Sequence, residues 1–157
     1  MDSVMLRSVS EEDLPLFFKY QQDRDANHMA AFTSKDPSDW DSFYIYWNKI
    51  LKDNDIIKQT IIVDDHVVGN VLCFEQFGER GVAYWIGREF WGKGIATTAL
   101  RKFLQQVKTR PLFARAAKDN IGSRKVLEKC GFKITGEDSG YANARGENVE
   151  EFVFTLN

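Results

Sequence analysis

Residues 84–109 read YWIGREFWGKGIATTALRKFLQQVKT, and within this stretch the hydrophobic period changes from that of a strand to that of a helix. Upstream, Val82 to Ile86 is a short apolar run rich in aromatic and β-branched residues. Downstream, Ile95, Ala99, Leu100, Phe103, Leu104 and Val107 recur at helical spacing. The change falls at Gly92-Lys93-Gly94. Glycines there allow a tight turn and a ligand's close approach to bare N–H groups, which form the positive end of the following helix. A strand, a glycine turn and a helix N-terminus in this order make a seat for phosphate.

Three phosphate-binding patterns use such a seat, and the residues separate them. Gly87, Gly92 and Lys93 fit the first part of the P-loop, but that loop needs Ser or Thr next to hold Mg²⁺, and this chain has Gly94. Gly92-Lys93-Gly94 also approximates the dinucleotide pattern, with Asp119 downstream. Its third glycine is replaced by Thr97, and the preceding strand is not the first of a βαβ unit.

The third pattern is the acyl-coenzyme A pyrophosphate turn. Trp91 to Ala96, WGKGIA, resembles the Q/R-x-x-G-x-G/A signature of the GNAT N-acetyltransferase superfamily. The preceding YWIGREF resembles its ribosomal-protein N-acetyltransferase-like branch, as does a second block, NIGSRKVLEKCGF, from Asn120 to Phe132. Two blocks in the right order are far more specific than either alone.

Whole-chain properties bound every reading. A chain of 157 residues is one domain by the usual length scale and buries a real core. With 43% hydrophobic and 28% charged residues it has the composition of a globular protein. A net charge of −2 gives no bulk attraction for nucleic acid. The opening MDSVMLRSVS has no apolar h-region and no apolar run is long enough to span a membrane, so the expectation is a cytoplasmic protein with no membrane partner. Cys73 and Cys130 read as small buried hydrophobes. No His or Cys pair has metal-ligand spacing, so no metal is expected.

In chain order, Val4 to Val9 reads as a strand. Ser10-Glu11-Glu12-Asp13 follows as an N-cap with an acid at the third helical position, before the helical face of Leu14, Phe17 and Phe18. Asp25 to Lys35 reads as an aperiodic apolar connector that lines something. Asp36-Pro37 is expected to start the next helix, with Trp40, Phe43, Tyr44, Trp47, Ile50 and Leu51 as its inner stripe. Such a stripe is core, or the wall of a pocket.

Ile56 to Val63, Val67 to Phe77 and Val82 to Ile86 read as an antiparallel meander turning at Asp64-Asp65-His66 and Gly78-Glu79-Arg80-Gly81. After the helix of the opening stretch, Pro111 to Ala117 is a strand, Asn120 caps a helix closed by Gly131, and Phe132 to Thr135 and Val149 to Leu156 are strands. The polar, glycine-containing Gly136 to Asn148 between them reads as a mobile loop.

This order resembles the GNAT fold over nearly the whole chain. The fold is an α/β (α+β) domain spanning residues 1–157, with a mixed, mostly antiparallel seven-stranded sheet splayed at its central strands and flanked by about four helices. The resemblance implies acetyl-CoA as cosubstrate, its pyrophosphate on the backbone of Gly92, Lys93, Gly94, Ala96 and Thr97. It implies pantetheine along Ile86 and Arg88, and Asn120 and Ser123 at the thiol end. It further implies direct attack of an amine on the thioester, with a strand N–H, that of Ile86, polarising the carbonyl.

Two family features are missing: Leu127 stands where many members carry a tyrosine general acid, and Gly81 where this branch often carries glutamate. Ser123 is then the remaining hydroxyl for the departing sulfur, and Glu79, Glu75 and His28 are the candidate bases. Trp91 replaces the first Gln or Arg and is expected to pack. Asn27, His28, Met29, Phe32 and Trp40 are expected to wall the acceptor site. Nearby Asp23, Asp25, Asp36, Asp39 and Asp41 suit a cationic acceptor, a small amine or a protein N-terminus. The alternative reading is a catalytically silent acyl-CoA-binding module. The chain is expected to be a monomer or homodimer.

Overall fold

The computed structural model describes residues 3–157. Seven strands form one sheet: β1 (Val4–Ser8), β2 (Ile57–Val63), β3 (His66–Gln76), β4 (Glu79–Ile86), β5 (Leu112–Ala117), β6 (Lys133–Ala142) and β7 (Glu147–Leu156). Their order is β1-β2-β3-β4-β5-β7-β6, and every neighbouring pair is antiparallel except β4 and β5. That parallel pair meets only at Gly81 and Phe113. Beyond this contact the two strands diverge, opening a gap at the centre of the sheet.

Five helices pack on the sheet: α1 (Leu14–Tyr20), α2 (Arg24–Ala30), α3 (Trp40–Lys52), α4 (Ile95–Gln106) and α5 (Ile121–Lys129). The helical spacing expected after Gly94 is realised in α4, which buries Ile95, Ala99, Leu100, Phe103 and Leu104. These pack with Val71, Cys73, Val82, Leu112 and Phe154 of the sheet and Leu127 of α5. The opposite face carries a second core of Leu14 and Phe17 from α1 and Phe43, Trp47 and Ile50 from α3.

Four local expectations are corrected. Arg24–Ala30 is a helix rather than part of an aperiodic connector, because Asp23 caps it by accepting from the Ala26 N–H at 2.8 Å. The next helix starts at Trp40 and not at Pro37. Asp36 accepts from the Ser38 N–H in a local turn, and Asp39 is the residue whose carboxylate accepts from the Ser42 N–H. The β3–β4 turn is Phe77-Gly78, both at positive φ, and the β2–β3 turn is Asp64-Asp65, so Glu79 and His66 belong to strands. Gly136 to Asn148 is no mobile loop: β6 continues to Ala142 and pairs with β7 along its length.

Outside the central gap a polar cluster is built on Asp13, which is 3% exposed. Arg7 makes two 2.7 Å bonds to its carboxylate, the Thr60 hydroxyl donates at 2.7 Å and the Ser10 N–H at 3.0 Å. Burial pushes the Asp13 carboxyl up, but Arg7, Ser10 and Thr60 together hold it below the usual range. A depressed folded-state pKa stabilises above the unfolded value and is lost as pH falls through the folded one. Asp13→Ala should therefore lower unfolding free energy by about 2 kcal/mol at neutral pH by urea titration. The difference from wild type should shrink below about pH 4.

Candidate active site

The centre of the molecule is the gap between β4 and β5, and backbone direction decides what faces it. The Gly87 N–H donates to Val68 O of β3 at 2.9 Å. Successive strand amides alternate, so the N–H and C=O of Ile86 point away from β3 and into the gap. The Trp91 indole N–H occupies the Ile86 carbonyl at 2.8 Å. Trp91, 43% exposed, is tied to the strand by this bond rather than packed in the core, and the Ile86 N–H is left facing the gap. Gly87 itself is required sterically, because a Cβ there would lie 2.7 Å from the Tyr20 ring.

The glycine turn stands at the mouth of this gap. Gly92 and Gly94 both have φ of +76°, and a Cβ at either would meet nothing within 4 Å. Open space therefore lies over the turn, and the conformation is one that L side chains adopt only with strain. The first N–H groups of α4 have no helical carbonyl to reach, so they and the amides of Gly92, Lys93 and Gly94 present a concave, electropositive backbone. Lys93 is exposed above it and Ala96 and Thr97 lie on the first turn. These residues fit an anionic pyrophosphate.

On the far side of the gap, Asn120 Oδ1 caps α5 by accepting from the Ser123 N–H at 3.2 Å. The Ser123 hydroxyl lies 2.9 Å from the Tyr84 hydroxyl, joining α5 to β4. Burial pushes the Tyr84 phenol up to about 12, against the lowering effect of the Ser123 bond. Tyr84 therefore keeps its proton throughout the range in which enzymes work. Composition and spacing did not single it out, although it stands at the start of YWIG.

Below the opposite face lies a cavity of about 380 Å³ between α1, α3, the segment after α2 and strands β3 and β4. Phe17, Phe32, Phe43, Tyr46, Trp47 and Trp85 form its aromatic walls; Asp36 and Asp39 contribute carboxylates, and no lining residue is Lys, Arg or His. Of the expected acceptor residues Asn27 and Phe32 line it, whereas His28, Met29 and Trp40 do not. Trp40 instead meets Phe18 edge-on and lies tilted against Phe43. The Asn27 side-chain N–H groups donate to the Gln21 and Asp23 carbonyls.

Phe32 is set by Ala31, which holds the left-handed φ of 64° with ψ of −58°. The tip of the β6–β7 hairpin braces this segment. Ala144 N–H donates to Ala31 O, Asn143 to Thr33 O and Arg145 Nε to His28 O, and Arg145 also makes a paired ionic contact with Asp119. Arg88 closes the other side through ion pairs with Asp23 and Asp25. Glu75 and Glu79 lie at the distal ends of β3 and β4; Glu79 is seven residues from Ile86, about 23 Å of strand, and is not brought beside Ser123.

Comparison with known proteins places this geometry. A family model for the acetyltransferase (GNAT) domain matches residues 3–133. The chain is 27% identical over 108 residues to an uncharacterised N-acetyltransferase, p20, of Bacillus licheniformis, covering 64% of this chain and 58% of that protein. It is 30% identical over 106 residues to YdaF, a putative ribosomal N-acetyltransferase of Bacillus subtilis, covering 62% and 58%. The matches thus span little over half the length of these relatives. The spermidine N-acetyltransferase of Vibrio cholerae, solved with CoA and spermine, superposes with a TM-score of 0.83 at 18% identity, covering 99% of this chain and 96% of that one. At that identity the likeness is one of fold.

Proposed function

The chain belongs to the acetyltransferase (GNAT) domain family, and from that premise we propose that it transfers an acetyl group from acetyl-CoA to a primary amine by direct attack on the thioester. The observation that carries this reading is the central gap, entered from one side over the glycine turn and facing an aromatic, acidic cavity on the other. The backbone of Gly92, Lys93, Gly94, Ala96 and Thr97 holds the pyrophosphate, the edge from Ile86 to Arg88 receives pantetheine, and Asn120 and Ser123 stand at the thiol end.

In the reaction the neutral amine adds to the thioester carbonyl, and the Ile86 N–H stabilises the oxygen as it becomes negative. Collapse breaks the C–S bond. The Tyr84–Ser123 hydroxyl pair then hydrogen-bonds the departing thiolate, while the amine's proton leaves to water in the cavity. The acceptor is a cationic amine, small or the N-terminus of a protein: Asp36, Asp39 and the aromatic faces attract positive charge, and no basic side chain opposes it.

A thermal-shift comparison tests the cosubstrate. At about 100 times its dissociation constant a ligand adds ~2.7 kcal/mol, which for a domain of this size raises Tm by about 5–10 °C. Acetyl-CoA and CoA should each give such a rise, and Mg-ATP and NAD none. A shift with Mg-ATP and none with CoA would overturn the reading.

A further inference from the structure

Asn70 lines the acceptor cavity from the middle of β3 and is only 7% exposed. Strand register explains its direction. Its neighbours in the chain, Val71 and then Cys73, face the core beneath α4, whereas Asn70 and Leu72 turn to the cavity. Asn70 stands in a row that crosses the sheet, Arg7 opposite Thr60, Thr60 opposite Asn70, and Asn70 opposite Trp85.

The rest of that row is fully bonded. Arg7 and the Thr60 hydroxyl are both committed to Asp13, and the Trp85 indole donates to Tyr20 O. Within this row the Asn70 side-chain amide is the group without a hydrogen-bond partner among the described residues, and it lines the cavity. A polar group so deeply buried and so free is a ligand's partner.

We propose that Asn70 is the acceptor-positioning residue, its amide oxygen accepting a hydrogen bond from the amine nitrogen that attacks the thioester. The inference rests on the acetyl-transfer reading above. Trp85, directly opposite Asn70, precedes Ile86, whose N–H faces the gap, so the amide lies one strand away from the place where the acyl carbon is held. The chemistry matches as well. A nucleophilic amine must be neutral, and an uncharged amide oxygen holds its N–H without favouring the ammonium form, which a carboxylate would do. Around Asn70 the charged groups are Asp36 and Asp39 in the cavity wall, and Asp13, neutralised by Arg7, behind Thr60. The site thus separates a neutral hold on the reacting nitrogen from carboxylates that attract the rest of a cationic acceptor.

The test is steady-state acetylation of spermine and of a short peptide with a free N-terminus by wild type, Asn70→Ala and Asn70→Asp, with urea titration confirming that each variant folds. Asn70→Ala should lower kcat/KM for the amine about tenfold or more with the KM for acetyl-CoA unchanged. Asn70→Asp places a carboxylate beside the amine, so the rising limb of its pH–rate profile should move upward by about one pH unit. Wild-type values for the amine in Asn70→Ala, an equal loss for both substrates, or an unmoved limb in Asn70→Asp would overturn the role of Asn70 and leave the acetyl-transfer reading intact. A wild type that binds CoA yet acetylates neither amine would overturn both.

Discussion

Replacing Gly94 by valine is expected to raise the dissociation constant of CoA about 100-fold, equivalent to ~2.7 kcal/mol, measured by calorimetric titration. Two effects combine. A side chain at Gly94 grows into the open space over the turn, where the structure offers no contact within 4 Å, and so occupies the volume a phosphate must enter to reach the amides. Gly94 also holds φ of 76° and ψ of 8°, and a β-branched residue there costs about 1–2 kcal/mol of folding free energy. That strain is small beside a domain stability of about 5–15 kcal/mol, so the variant should fold and the loss of binding can be read. Gly87→Ala is the contrasting case. Its Cβ collides with the Tyr20 ring, so it should reduce stability more than Gly94→Val does. CoA affinity close to wild type in Gly94→Val would remove the glycine turn from the binding site.

The Tyr84–Ser123 pair gives the second large effect. Removing either hydroxyl, in Tyr84→Phe or Ser123→Ala, should lower kcat by about 10–100-fold at saturating acetyl-CoA, within the range of one positioned proton donor. The double variant should lose little more than the worse single, because the two hydroxyls, 2.9 Å apart, act as one donor. Burial keeps the Tyr84 phenol near 12, so it is protonated at every pH below about 10. The loss in Tyr84→Phe should therefore be the same across the profile, without displacement of either limb. A kcat unchanged in both single variants would show that the departing sulfur needs neither hydroxyl. In the proposed reaction this pair supplies from β4 the phenol for which α5 offers only Leu127, whose side chain is buried in the core.

Where local conformation depends on a residue's own backbone, the sequence was enough. The glycines at 92 and 94, the apolar spacing of Ile95 to Leu104 and the capping Asn120 all carry local signals, and strand, turn and helices stand where those signals put them. The β6–β7 hairpin was hidden for the opposite reason. β6 is an edge strand exposed along most of its length, so it has no alternation to read, and its glycines and polar residues mimic a loop. Its strand character comes from pairing with β7. Helix α2 has only seven residues and no apolar stripe, and its stability comes from the Asp23 cap and the contacts of Arg88 and Arg145.

Contacts between distant parts of the chain were equally illegible. Tyr84 and Ser123 are 39 residues apart and no spacing rule joins them. Asn70 sits inside an apolar strand, where an asparagine reads as a mild blemish until the register turns it toward the cavity. Asp36 and Asp39 compete for one helix start, each with a serine close behind. The choice of Asp39 follows from the Asp36–Ser38 turn, which composition does not reveal. The acceptor wall was half legible for the same reason, since Phe32 reaches the cavity through the unusual backbone of Ala31 while His28 and Met29 turn elsewhere.

The most direct test of the whole account is mass spectrometry of the amine after incubation with acetyl-CoA, using spermine and a short peptide with a free N-terminus. Transfer predicts a product heavier by one acetyl group, formed together with one equivalent of free CoA thiol, and formed about 100-fold more slowly by Gly94→Val when acetyl-CoA is subsaturating. Acetyl-CoA that binds and yields no acetylated amine with either acceptor would contradict the account and leave an acyl-CoA-binding module without transferase chemistry.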